Sequence, residues 1–436
     1  MEGGRHPITL VVRDDLERTR LTVFFRLILA IPHFIWLTLW TIAAVFAAIA
    51  NWFATLFEGT PPQALHGFLT RYLRYTTHFY SYLYLAANPW PDFDGRRGEY
   101  PVDLEVGGPE RQNRWTVGFR LILALPAVLL ASALASSVDF SSYGGGSRNG
   151  WETAATWGGG VAAIAAFGAW FLIMARGRMK PGLRDLIAYC IGYSAQAWGY
   201  VLLLTGRYPS ADPAKVGNFQ PLPDHDVNLE LEDDLRRSRL TVFFRLLLAI
   251  PHFIWLTLWG IAVFFSLIAN WFVTLFSGTP APALHRFNSR YLRYQAHVYS
   301  FFLLVANPFP RFTGERRSYP VDLELPEPRR QNRWVTGFRI FLWLPVGVLS
   351  SALGNIAFLA AFFMWWYAMF TGRVPDGLRN LSAFVIRYYA QADAYLYLIT
   401  DRYPYSGPFA TRAQAGEPVV TDPTAPAAPE PEPSPA

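Results

Sequence analysis

The sequence predicts an all-α polytopic membrane protein with internal tandem repeats, built of helical hairpins plus interfacial amphipathic helices and a small surface β element. Three observations predict it. Of 436 residues, 52% are hydrophobic and 17% aromatic but only 16% charged, where soluble domains carry about 25% charge. Residues 27–57 contain no Asp, Glu, Lys or Arg. The segment 20–57 returns at 239–276 with 31 of 38 positions identical, at a constant offset of 219. A mean hydropathy of +0.17 leaves too much apolar surface for a disordered chain or a large soluble enzyme.

The chain therefore divides into two membrane repeats, 1–214 and 215–410, followed by a tail, 411–436. Each repeat divides again, into 7–98 and 99–214, and into 223–317 and 318–410. Arg20 and Arg26 before Pro32 recur as Arg114 and Arg120 before Pro126. They recur again as Arg239 and Arg245 before Pro251, and as Arg333 and Arg339 before Pro345.

Each quarter opens on an alternating stretch: HPITLVV, YPVDLEV, HDVNLEL or YPVDLEL. In the second of these, Val102, Leu104 and Val106 face one way while Asp103 and Glu105 face the other, the period of a strand. One such strand is unstable alone, so the four are expected to pair into one sheet or two.

The apolar block comes next. As one helix, residues 27–57 would run about 46 Å, beyond a hydrocarbon core of about 30 Å. In the second quarter the block splits into 121–138 and 153–175 around DFSSYGGGSRNGWE, an insertion suited to a loop tip. A tight hairpin in each quarter, eight spans in all, fits both facts. Pro32, Pro126, Pro251 and Pro345 are expected to break or restart helices. Asn51 and Asn270 are placed to bond across helices.

Turns at Gly59, Gly177, Gly278 and Gly372 lead into Tyr-rich segments that end in NPWP, GRYP, NPFP and DRYP. In RYLRYTTHFYSYLYL, polar Arg71, Arg74, His78 and Ser81 follow the helical period, as in an amphipathic helix at the headgroup level. The tail, rich in Pro, Ala and Glu, reads as disordered. Basic residues gather on one side of the scheme, which places both termini in the cytoplasm and the protein in the cell inner membrane.

The residues FRLILAIPHFIWL (25–37) and FRLLLAIPHFIWL (244–256), with the GTPP turn and the segment 372–404, resemble DUF4389, a family of bacterial membrane proteins found largely in actinobacteria. The resemblance spans residues 7–408 and implies a membrane location with no established activity. The second quarter departs from the pattern, with Ala127 where Pro32 and Pro251 are followed by His33 and His252.

Enzyme motifs are absent from the sequence: there is no HExxH, Walker loop or GxGxxG, and Gly144–Gly146 lacks the Lys of a phosphate loop. No catalytic residue, metal site or cofactor is assigned. Cys190 is the only cysteine, which excludes an internal disulfide. Three groups of side chains are singled out as sites. Arg26, Arg120, Arg245 and Arg339 are arginines for lipid phosphate or salt bridges, set against plain snorkelling. Arg74, His78, Arg293, His297, Arg387 and Gln391 are interfacial polar residues. His33, His66 and His78 recur as His252, His285 and His297, read as structural hydrogen-bonders rather than cofactor ligands.

The function expected from the sequence is non-enzymatic: an integral membrane scaffold or accessory subunit that binds anionic lipids and a protein partner in the membrane. A small-solute or lipid transporter is the alternative, opposed by the almost charge-free apolar blocks. The net charge of +6 is assigned to lipid headgroups, not nucleic acid.

Overall fold

The computed structural model describes residues 6–135 and 160–415. The polar insert of the second quarter, including Gly144–Gly146, and the tail beyond a short 3-10 turn at Arg412–Ala415 lie outside the described residues.

Each quarter follows the same order. The first holds β1 (Ile8–Val12), α1 (Arg20–Phe24), α2 (Arg26–Leu29), α3 (Ile31–Glu58) and α4 (Gln63–Leu83). The second holds β2 (Val102–Val106), α5 (Arg114–Gly118), α6 (Arg120–Ala135), α7 (Val161–Arg176), α8 (Pro181–Val201) and α9 (Pro213–Val216). The third holds β3 (Asn228–Leu231), α10 (Arg239–Phe243), α11 (Arg245–Ser277) and α12 (Pro282–Phe302). The fourth holds β4 (Val321–Glu324), α13 (Arg333–Gly337), α14 (Arg339–Thr371) and α15 (Asp376–Leu396).

Three helices, Arg26–Glu58, Arg245–Ser277 and Arg339–Thr371, are each 33 residues and apolar enough to cross a membrane. This corrects the hairpin expectation in those quarters, because each apolar block is one helix of about 50 Å. Stretches such as WTIAAVFAA offer no turn former, and a helix satisfies its own backbone at any length. The expected proline breaks also need correction. Pro126, Pro251 and Pro345 lie inside uninterrupted helices. Only Pro32 follows an interruption, at Ala30. Each of the other three lies six residues after the helix's first arginine, in the second turn, where the missing N–H forfeits one hydrogen bond and the helix continues past it. The shared break falls earlier, at Phe25, Phe119, Phe244 and Phe338, where φ is −88° to −96° and ψ 6° to 14°.

The strands form two separate antiparallel pairs, β1 with β2 and β3 with β4. The register Ile8↔Val106, Leu10↔Leu104, Val12↔Val102 is symmetric about Leu10 and Leu104, which are equivalent positions of the two quarters. Leu229↔Leu323 centres the second pair in the same way. A local twofold axis therefore stands perpendicular to each sheet, and the two quarters it relates share one layering.

Beneath the sheets lie α4, α8, α12 and α15. The helix α8 runs flat under β1: a Cβ on Gly199 would collide with Ile8, and one on Gly192 would meet Leu10 at 3.3 Å. On the far side of this layer lie the long apolar helices, antiparallel to their Tyr-rich partners after left-handed glycines at Gly59, Gly177, Gly278 and Gly372, the conformation glycine adopts freely. Quarters within a half exchange their short helices, α5 packing on α3 and α1 on α7, with α13 on α11 and α10 on α14. Trp52 Nε1 donates to Val117 O at 2.9 Å, as Trp271 does to Thr336 O and Trp365 to Val242 O. The halves meet where α14 packs on α6 and α7.

The Tyr-rich helices are thus a largely covered middle layer, whose polar faces bond to protein. Tyr75, Tyr189, Tyr294 and Tyr395 are fully buried. Strands cover one side and long helices the other, so their polar atoms find protein partners. The long helix α3 instead touches protein along a narrow seam, through His33, Ala44, Asn51 and Thr55, whereas α14, between the halves, is buried more broadly. Leu39, Phe46, Phe53 and Phe57 face outward along α3.

Candidate functional site

The most repeated polar construction sits where each middle-layer helix ends. Helix C-termini leave carbonyls without partners and carry partial negative charge. Here each end turns through a leucine in the left-handed region: Leu85 (φ 67°), Leu203 (61°), Leu304 (60°) and Leu398 (61°). A residue with a Cβ pays roughly 1–2 kcal/mol for that conformation, so the surroundings must hold it.

Two side chains do so in every quarter. Arg26 Nη1 donates to Tyr82 O at 2.6 Å and Ala87 O at 3.1 Å. Arg245 donates to Phe301 O and Ala306 O, and Arg339 to Tyr395 O and Thr400 O. Arg120 donates to Thr205 O at 3.4 Å. The guanidiniums also lie 3.9–4.6 Å from the ring centroids of Tyr82, Tyr200, Phe301 and Tyr395, a cation–π arrangement. All four arginines are 1–3% exposed, and none pairs with a carboxylate among the described residues. Each closes on its own helix end, where the terminal carbonyls have no intrahelical partner. Arg120 and Arg339 additionally reach Gln112 Oε1 and Gln331 Oε1 in the linkers.

The second clamp was not singled out from the sequence. Arg18 donates to Leu85 O through Nε (3.3 Å) and Nη2 (3.1 Å), and Arg237 does the same to Leu304 O. Gln112 and Gln331 replace them on Leu203 O (2.7 Å) and Leu398 O (2.8 Å). Asp14 and Asp233 fix the two arginines through buried paired bonds. The signal was present: Arg or Gln stands eight residues before each clamp arginine.

The expected interfacial polar residues fasten the middle layer to the strands. His78 Nε2 lies 2.8 Å from Asp103 Oδ1, and Arg74 donates to Leu104 O at 3.0 Å. Arg293 and His297 repeat this on Asp322 at 3.0 and 3.4 Å. Gln196, in the place of His78, donates to Ile8 O, and Gln391 to Val227 O, each at 2.9 Å. Arg387 donates to Gln391 Oε1 and Gly407 O. Burial pushes the Asp103 carboxyl up, but the hydrogen bonds from His78, Gly98 and Leu104 outweigh it and hold it below its ordinary value. Asp322 follows the same balance.

His33 stacks on Phe93 and bonds Tyr75 OH at 2.7 Å, and His252 repeats this with Phe312 and Tyr294. Among the described residues no three His, Cys, Asp or Glu side chains could hold a metal ion. Asn51 donates to Leu202 O at 3.0 Å, and Asn270 accepts from Ala281 N at 3.1 Å, both across helices. The buried acid of α15 has no acidic counterpart in the first half. Asp393 on α15 accepts from Gln295 on α12 at 2.9 Å where the first half carries Trp198 and Thr76. Burial pushes this carboxyl up to about 7, against the hydrogen bond from Gln295.

A family model described as Domain of unknown function (DUF4389) matches residues 20–93, 239–313 and 333–409. No curated protein and no solved structure matches the chain.

Proposed function

The chain belongs to the DUF4389 family, and from that premise we propose that it is a non-enzymatic membrane scaffold. It holds anionic lipids along one face and offers the other to a protein partner. The observation that carries this reading is the segregation of its layers: the long apolar helices lie on one side of the Tyr-rich layer and the strands on the other.

That segregation also supports an orientation. The sheets lie flat against the middle-layer helices, so upright helices would set the sheet's charges at mid-bilayer depth. Arg96 and Arg97 are 68% and 72% exposed there, and charge at that depth is costly. Lying in the membrane plane, the long helices bury their outward Phe, Leu and Ile among acyl chains of one leaflet. Exposed Arg20, Arg114, Arg239 and Arg333 then mark the headgroup level. The sheet layer faces the cytoplasm, where a partner docks.

Spin labels at Ile31, Phe46 and Phe57 in liposomes test the placement. Equal depths support helices lying in the plane. A profile deepest at Phe46 and shallow at both ends means upright spans and overturns it. The role is tested by native mass spectrometry from membrane-derived nanodiscs. A stoichiometric membrane protein companion with retained anionic lipid supports the scaffold, whereas solute uptake by proteoliposomes of the pure protein overturns it.

A further inference from the structure

In the second half, the backbone bridge that joins the linker before α10 to the turn after α14 pairs Arg236 with Arg373. Residues opposed in such an antiparallel bridge project to the same side, and like charges there destabilise the pair. Both arginines are exposed, and neither guanidinium has a partner among the described residues. Asp234 turns its carboxylate onto the Arg236 backbone N–H at 3.0 Å. Asp233 is committed to Arg237. The two cations line an open pocket of about 500 Å³ with Ser238, Asn307 and Arg237, whose charge Asp233 compensates.

The first half supplies an internal comparison. There the same bridge pairs Glu17 with Arg178, an acid opposite a base. The second half has exchanged that acid for Arg236 and so lacks the compensating charge.

We propose that Arg236 and Arg373 bind a phosphate group, that of an anionic phospholipid headgroup. Two arginines opposed across one bridge and lining one pocket suit phosphate oxygens, and an anion between them relieves their repulsion. The pocket's position favours a lipid over free phosphate. Next to it α10 exposes Leu240 (71%) and Phe243 (55%), and the end of α14 exposes Phe370 (72%). A phosphate held here would lead its acyl chains onto the apolar layer. The inference rests on the membrane placement proposed above, and its test is independent of the depth profile.

The full chain in neutral detergent would be titrated calorimetrically with dihexanoyl phosphatidylglycerol, dihexanoyl phosphatidylcholine and inorganic phosphate. Wild type is expected to bind the phosphatidylglycerol at one site and inorganic phosphate more weakly. Arg236→Glu restores the first-half pairing and should weaken phosphatidylglycerol about 25-fold, near fivefold per unit of charge. Glu17→Arg should add a second site. Unchanged affinity in a folded Arg236→Glu, or in Arg373→Gln should the first variant not fold, overturns the pocket. Equal binding of phosphatidylcholine also overturns it. Tight binding of inorganic phosphate alone overturns the lipid assignment. If the pocket fails while the labels report equal depths, the membrane placement stands by itself.

Discussion

Arg26 reaches across fifty-six positions to the Tyr82 carbonyl, and Arg245 and Arg339 reach across the same interval to Phe301 and Tyr395. The interval is the length of the long helix, its turn and the returning Tyr-rich helix. The arginine at the first helix's start therefore caps the end of the second. This closes each quarter on itself.

Removing a clamp leaves buried carbonyls without donors. Arg245→Gln should destabilise the folded protein by about 3 kcal/mol. Arg333→Gln, at an exposed arginine, should cost under about 1 kcal/mol. Thermal unfolding of the two variants in one detergent checks the difference.

The approach of α8 to β1 can be tested by a coupled pair. Gly199→Ala places a methyl group against Ile8 and should lower stability by about 1–3 kcal/mol. Ile8→Ala removes the colliding atoms, so the double variant should recover part of the loss. Simple additivity of the two losses would show that the strand does not lie on this glycine.

Asp103 governs an acid-sensitive step. Its carboxyl is held below its ordinary value in the fold. The contribution is complete above the unfolded value, near 4, and is lost as pH falls through the lower folded value. Protection of the amides in Ile8–Val12 and Val102–Val106, relative to their intrinsic exchange rates, should therefore fall below about pH 4. Asp103→Asn should exchange faster at neutral pH and lose that acid dependence.

Asp393 acts in the opposite sense. With its carboxyl raised to about 7, the folded state keeps a proton that the unfolded chain releases near pH 4. Stability should fall as pH rises from about 4 to about 7 and level off above. Asp393→Asn should remove that slope and unfold at a higher temperature than wild type at pH 8.

The repeats, the four strands, the glycines that end the long helices and the apolar blocks were legible in the sequence. All are local chemistry: period two in VDLEV, a left-handed turn that glycine permits, an uncharged run from Leu27 to Phe57. The strands were readable but their partners were not, because alternation names a face and leaves the neighbour open. The clamp arginines were visible as a repeat, yet their targets lie fifty-six residues on, at carbonyls that every residue carries. Nothing in the Leu85, Leu203, Leu304 or Leu398 side chains announces a left-handed turn. Tertiary structure decided that the apolar block stays one helix and that the Tyr-rich helix is covered. An amphipathic helix has a polar face whether lipid headgroups or strands satisfy it. The choice depends on where the rest of the chain places its hydrogen-bonding partners, and here β1, β2 and the clamps place them inside the protein.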